Sequence, residues 1–238
     1  MQSLDNPFQI HLLGDHAILI KLSKGLNEGI DQDLLALAAF IKEQKIQGIK
    51  DIILAYDNLT LVYDILDFDS NPYLYVNQLV ANFIAEASNH NAPNSASRLI
   101  EVPVCYDPSL GIDLEAAAKI ANCNIEALIQ EHTAHIYTVY CLGFLPGFAY
   151  MGDVPKKIQL PRHPQPRATV VAGSVGIAGK QTGIYPTDSP GGWQIIGRTP
   201  LKIFDAIKLS LFKAGDQVKF NPIDLALFHE LNNQEDVH

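Results

Sequence analysis

Arginine, cysteine and tryptophan are scarce in this chain, and each scarcity narrows what the chain can be. Its 238 residues hold three cysteines, one tryptophan and four arginines, the last at positions 98, 162, 167 and 198. Cys105, Cys123 and Cys141 are odd in number and widely spaced, so no disulfide framework is expected and a reducing, cytoplasmic setting is. Basic charge is short as well. The 17 Lys and Arg face 26 Asp and Glu, for a net charge of −9, which argues against nucleic acid or an anionic membrane as the main partner. No apolar run approaches the ~18–20 residues that span a bilayer. The N-terminus has no basic region followed by an apolar run, so no signal peptide is expected. What is present, 47% hydrophobic and 18% charged residues, is ordinary for a globular protein with a core of its own.

Residues 10–21 read as a strand or hairpin turning at Gly14-Asp15. Leu34, Leu35, Leu37, Ala38 and Ile41 fall at helical spacing within 30–46, and Gly48 stops that helix. Two short apolar runs, Ile49–Ala55 and Leu59–Tyr63, are split by a turn at 56–58, and a second helix is expected over about 73–88. With a further strand near Ile100, this order suggests a small α+β unit with helices on one sheet face. The Asn- and Ser-rich stretch from Ser88 to Arg98 has no apolar period, which puts a boundary between domains 1–92 and 93–238. Beyond it come a strand over Leu99–Cys105, a helix over 113–121 with Asp113 in the N-cap position, and a helical stretch over Ile125–His132. From Ile136 onward short β-type runs alternate with Gly and Pro. Leu201–Phe204, Ile207–Leu211 and Gln217–Phe220 all fit strands, and a β-barrel is expected.

The chemistry is concentrated in one block. Ten of the 16 glycines and seven of the 14 prolines lie between Gly143 and Gly197, with Arg162, Arg167, Arg198 and Trp193. Residues 149–202 carry seven Lys or Arg against Asp153 and Asp188. Such a basic island in an acidic chain suits a carboxylate or phosphate, which an arginine fork can hold with two parallel hydrogen bonds. Turn-making in a loop-rich barrel would explain the glycines equally well. The run Gly173–Gln181 is not a P-loop, because five residues separate its first and last glycines and Gln follows Lys180. Ala172–Gly176 resembles a nucleophile elbow, but more glycines follow it where a helix is required, so Ser174 reads as a turn or hydrogen-bonding residue. His132 and His135 could share a helix face, yet no further ligands complete a metal set, and no metal is expected. His163 sits in a proline-held extended segment, 160–167, with no paired base evident.

The stretch Gly143–Gly152, the pairs Pro161-Arg162 and Pro166-Arg167, and the runs Ala172–Pro186 and Ser189–Pro200 together resemble the B subunits of the bacterial 5-oxoprolinase family. That family includes an inhibitor of a sensor histidine kinase and the subunit-1 domains of urea- and allophanate-metabolising carboxyltransferase systems. The resemblance implies an α+β N-terminal domain followed by a cyclophilin-like β-barrel. It also implies ATP-dependent hydrolysis of 5-oxo-L-proline to L-glutamate in a heteromeric complex with the A and C subunits of 5-oxoprolinase, with ATP activating the lactam carbonyl. Kinase inhibition and urea or allophanate metabolism are the alternative activities within the family. Val171 stands where Pro is expected, and His163 where a second basic residue is common. On residue type, Arg162, Arg167, Arg198 and His163 are expected to hold anionic groups. Gln181, Tyr185 and Ser174 would supply neutral hydrogen bonds, and Pro146, Phe148, Tyr150, Gly191, Gly192 and Trp193 the pocket walls. No complete catalytic set is visible in this chain.

Overall fold

A computed structural model describes residues 7–23, 32–89 and 97–235. The chain divides into two compact units, Met1–Ala96 and Ser97–His238; the boundary expected at residues 92 and 93 lies outside the described residues.

The first unit contains β1 (Phe8–Leu12), β2 (Ala17–Leu22), α1 (Gln32–Glu43), β3 (Ile49–Ala55), β4 (Asn58–Tyr63) and α2 (Pro72–Asn89). Its four strands form an antiparallel sheet in the order β1-β2-β4-β3. Alternation decides which face is covered. Ile18, Ile20 and Leu22 of β2, with Leu59, Leu61 and Tyr63 of β4, turn inward against Leu34, Leu37 and Ile41 of α1 and Val76, Val80 and Phe83 of α2. Both expected hairpins form. Gly14 takes the left-handed conformation at φ +71°, and Tyr56 turns the second hairpin at φ +46°. The strand near Ile100 does not join this sheet and belongs to the second unit.

That unit runs β5 (Leu99–Cys105), α3 (Leu114–Ile120), α4 (Ile125–Thr133), β6 (Ile136–Leu142), β7 (Ala149–Gly152), β8 (Arg167–Val170), β9 (Ser174–Ala178) and β10 (Gln181–Ile184), then β11 (Ser189–Gly191), β12 (Gln194–Arg198), β13 (Phe204–Asp205), β14 (Leu209–Ser210), β15 (Gln217–Ile223) and α5 (Leu225–Glu235). Seven of its strands close a barrel in the order β10-β7-β6-β15-β5-β12-β9. The pair β5–β15 is parallel, from Leu99 opposite Gln217 to Cys105 opposite Ile223. Closure leaves the barrel no open edge, and Val104, Val139, Met151, Ile177, Val218 and Phe220 fill its interior. The strands expected over 201–204 and 207–211 shrink to two-residue pieces. Asp205 causes this, because its Oδ1 accepts from the Ile207 and Lys208 backbone N–H groups at 2.8 and 3.0 Å and turns the chain there.

His132, at the end of α4, is fully buried rather than presented on a helix face with His135, which lies beyond the helix. Its ring stacks on Phe220 with centroids 4.7 Å apart. The Thr182 hydroxyl donates to the Gly176 carbonyl at 3.0 Å, so His132 Nε2–H must donate to Thr182 Oγ1, 2.9 Å away. Nδ1 then accepts from the Tyr106 hydroxyl at 2.8 Å. Every polar atom is satisfied by a neutral imidazole, and a second ring proton would displace the Tyr106 donor. Burial accordingly lowers the His132 pKa from 6.5 to about 3.

The folded pKa lies below the unfolded one, so between about pH 6.5 and 3 the unfolded chain binds a proton that the folded chain refuses. His132 therefore destabilises the barrel as pH falls through that window, by at most about 1.4 kcal/mol per pH unit. Urea denaturation of wild type and H132Q at several pH values should show a shallower acid-side decline for the variant. Parallel curves would contradict the neutral, buried imidazole.

Candidate functional site

Five aromatic rings gather at one side of the barrel around Phe148, which meets Tyr150, Tyr185, Trp193 and Phe144 edge-on at centroid distances of 4.9, 5.3, 5.3 and 5.8 Å. The geometry is that preferred by ring quadrupoles. Tyr150 comes from β7, Phe144 and Phe148 from the loop before it, Tyr185 from the residue just past β10, and Trp193 from the residue just before β12. These rings line a cavity of about 290 Å³, completed by Arg162, His163, Pro166, Pro190, Gly191 and Gly192. This is near the lower end for small-molecule sites, ~300 Å³.

The proline-rich segment 161–166 forms one wall because it is stitched to its neighbours at both ends. Gly179 N–H donates to the Leu160 carbonyl at 2.6 Å, and His163 N–H to the Gly192 carbonyl at 2.7 Å. Gln194 Nε2 donates to the Pro161 carbonyl at 3.0 Å. Beyond the segment, β8 pairs with β11, Arg167 opposite Gly191 and Val170 opposite Ser189. Gly191 has a steric reason to be glycine: a Cβ there would overlap the Tyr185 hydroxyl and lie 2.7 Å from Cζ of that ring.

Behind this wall sits Asp113, which holds the N-cap position of α3 as expected but makes no side-chain capping bond. Its carboxylate is taken by more distant partners. Oδ2 accepts from the Ile195 backbone N–H at 2.7 Å, Oδ1 accepts from Arg167 Nη2, and His163 Nε2 lies 3.3 Å from Oδ2. The Asp113 N–H in turn donates to the Ile195 carbonyl at 2.9 Å. Four buried polar atoms find no hydrogen-bond partner within the described residues: His163 Nε2, Arg167 Nη1, Ser189 Oγ and Gln194 Oε1. Buried polar atoms rarely stay unpaired, so these mark a place where a ligand or water is wanted.

The cavity can hold a small ring with an anionic group. Arg162 lies with Cζ 6.0 Å from the Trp193 ring centroid, where it is both stacked and charged. Burial pushes the phenols of Tyr150 and Tyr185 up from 10, so both are neutral donors at physiological pH.

The structure brings together eight residues expected from sequence: Arg162, His163, Tyr185, Phe148, Tyr150, Gly191, Gly192 and Trp193. It places five others elsewhere. Arg167 turns back onto Asp113. Arg198 donates through Nε to the Ala172 carbonyl at 2.8 Å and lies over Phe228 of α5. Ser174 is buried in β9, Gln181 begins β10, and Pro146 is not part of the lining. Phe144, Pro166 and Pro190 line the cavity without having been singled out from sequence, and Asp113 was read only as a cap. The block's abundance of Pro and Phe gave the first three away in type; nothing in the sequence marked Asp113. Residues 173–181 form β9 and its turn into β10, with no helix start to receive a phosphate, so this run does not fit ATP.

Residues 8–211 match the family described as carboxyltransferase domain, subdomain C and D. The chain is 41% identical over 231 residues to the B subunit of 5-oxoprolinase from Bacillus subtilis (strain 168), covering 93% of this chain and 95% of the relative. Among solved structures it resembles TTHA0988 with a TM-score of 0.76 and 32% identity over 91% of this chain, and it spans only 41% of that longer chain. It also matches the urea amidolyase of K. lactis with a TM-score of 0.74 at 17% identity, over 97% of this chain and 16% of that one, a likeness of fold alone.

Substituting Gly191 with Ala should drive the new methyl into the Tyr185 ring and cost about 1–3 kcal/mol of stability. In a Y185A background the same change should cost far less. A double-mutant cycle by urea denaturation tests this, and simple additivity would show the contact to be unimportant.

Proposed function

The chain belongs to the carboxyltransferase subdomain C and D family, in its 5-oxoprolinase B-subunit branch, and from that premise we propose that it is the B subunit of an ATP-dependent 5-oxoprolinase, opening 5-oxo-L-proline to L-glutamate. The observation that carries this reading is the identity to a 5-oxoprolinase B subunit along nearly the whole of both chains; likeness of fold alone would leave the activity open. The cavity supports it chemically. A five-membered lactam with one carboxylate suits flat aromatic walls with a single cation beside them. Arg162 is the group suited to the carboxylate, and Tyr150 and Tyr185 can donate to the lactam oxygen.

The reading makes the chain a non-autonomous subunit. Its partners are an A subunit of lactam-utilisation type and a C subunit of carboxyltransferase type, and ATP is used by the assembled complex. No step involving ATP is assigned to this chain, because its glycine-rich run is committed to barrel strands. The free thiols of Cys105, Cys123 and Cys141 fit a complex that works in the reducing cytoplasm. No helix among the described residues is long and apolar enough to cross a membrane.

The test is ATP-dependent glutamate release from 5-oxoproline by this chain, alone, with the A and C subunits, and with each omitted in turn. Activity is expected in the full mixture alone. Within it, R162A should raise the KM for 5-oxoproline by about 10-fold or more, the loss of one charge-assisted hydrogen bond. A full mixture of folded subunits that releases no glutamate would overturn the proposal.

A further inference from the structure

We infer that His163 is the proton-transferring residue of the aromatic cavity and that Asp113 is the residue that positions it, an inference that rests on the lactam-opening reading above. The titratable side chains lining the cavity are Arg162, His163, Tyr150 and Tyr185. A guanidinium does not give up its proton in proteins, and burial pushes both phenols up. Histidine is the one side-chain type among them that exchanges a proton readily near neutral pH.

The geometry around His163 is that of a base with an orienting partner. Its backbone N–H is tied to the Gly192 carbonyl at 2.7 Å, which fixes where the side chain starts. Nε2 lies 3.3 Å from Asp113 Oδ2 without an aligned hydrogen bond. Catalytic pairs are often loose in this way until substrate binds. With Nε2 turned toward the carboxylate, Nδ1 is the nitrogen left for substrate. Asp113 forgoes the local capping bond that its position offers, and its side chain is only 6% exposed. The charged and titratable groups facing this pair are Arg167 from β8, which balances the buried carboxylate, Arg162 from the same proline-rich segment, and the Tyr150 and Tyr185 phenols.

The proton transfers balance with the attacking water; the phosphoryl group that ATP places on the carbonyl oxygen is released as phosphate when a second water hydrolyses the resulting acyl phosphate. Neutral His163 takes a proton from the water whose oxygen bonds to the lactam carbonyl carbon. The C–N bond then breaks, its electron pair goes to nitrogen, and the imidazolium returns the proton to that nitrogen as the amine of glutamate. Asp113 stabilises the imidazolium between the two transfers.

The experiment uses the complex reconstituted with the A and C subunits. H163A should lower kcat by about 10²–10⁴-fold with the KM for 5-oxoproline changed by less than about threefold. Added imidazole should raise the rate of the variant at least about tenfold, leaving it roughly one to three orders of magnitude below wild type. D113N, which keeps an acceptor for the Ile195 N–H, should lower kcat, move the His-dependent limb of the pH–rate profile to lower pH, and gain nothing from imidazole. If H163A melts at a lower temperature than wild type, H163N is read in its place. The inference is overturned if the folded His163 variant stays within about twofold of wild type, or loses activity that imidazole does not return. A wild-type complex that does not open 5-oxoproline would instead remove the subunit reading, and this inference with it.

Discussion

The pocket depends on how one buried carboxylate is shared. Asp113 stands at the start of α3, and its partners arrive from β12, from β8 and from the proline-rich segment between residues 160 and 167. Without it, Arg167 would be a half-buried cation with no counter-charge, and the Ile195 N–H would lose its acceptor in the barrel wall. Breaking such a buried pair from one side costs about 3–5 kcal/mol, far more than the intact pair contributes over an apolar substitute. The value of the arrangement is therefore positional. A carboxylate that accepts from Ile195 and Arg167 and stands 3.3 Å from His163 Nε2 fixes the separation of three segments, and the cavity wall follows from that separation. The aromatic rings then pack on a frame already set, with Phe148 at their centre.

A second buried polar group acts in the opposite sense. His132 ties α4 to Thr182 of β10 and to Tyr106, past the end of β5, by hydrogen bonds, and it does so uncharged. The two sites are opposite solutions among the buried polar groups of the barrel unit. One is a charged cluster at the cavity wall, where a ligand can approach. The other is a neutral cluster deep among Tyr137 and Phe220, where a charge would have no partner. The same low-dielectric interior that forbids a proton on His132 strengthens every interaction of Asp113.

Much of this was legible in the sequence, and the misses at the site share one cause. Periodicity gave α1, α2, β2 and β4 because the residues that make those elements also bury them, so local pattern and tertiary packing agree. The aromatic and glycine content of residues 143–193 gave most of the cavity, since wall-forming residues have recognisable types. Arginine was harder to place. Arg162, Arg167 and Arg198 are alike in sequence, yet one faces the cavity, one balances Asp113 and one packs on Phe228. What separates them is the partner each meets across the fold. Asp113 itself lies 54 residues from Arg167 and 82 from Ile195, and no local signal distinguishes an aspartate that caps a helix from one that reaches past it. Residues 201–211 failed for a nearer reason, as Asp205 turned an apolar run that was otherwise strand-like.

The division of labour in the proposed complex follows from what this barrel can and cannot supply. Opening an unactivated lactam demands two things: a leaving group made better at the carbonyl, and a proton delivered to the departing nitrogen. The cavity offers flat walls, one cation, two neutral hydroxyl donors and an imidazole held against a carboxylate, which suffices to bind a small acid and move a proton. It offers no cradle of backbone N–H groups at a helix start, since the glycines that could have formed one are built into β9, β10 and the turn between them. A barrel closed through those strands cannot free them for phosphate without opening its own wall between β12 and β7. Closure and nucleotide binding thus compete for the same residues, and in this chain closure has them. On the proposed reading this run therefore serves as barrel wall rather than as a phosphate cradle, and the activation of the carbonyl is assigned to the assembled complex rather than to these strands.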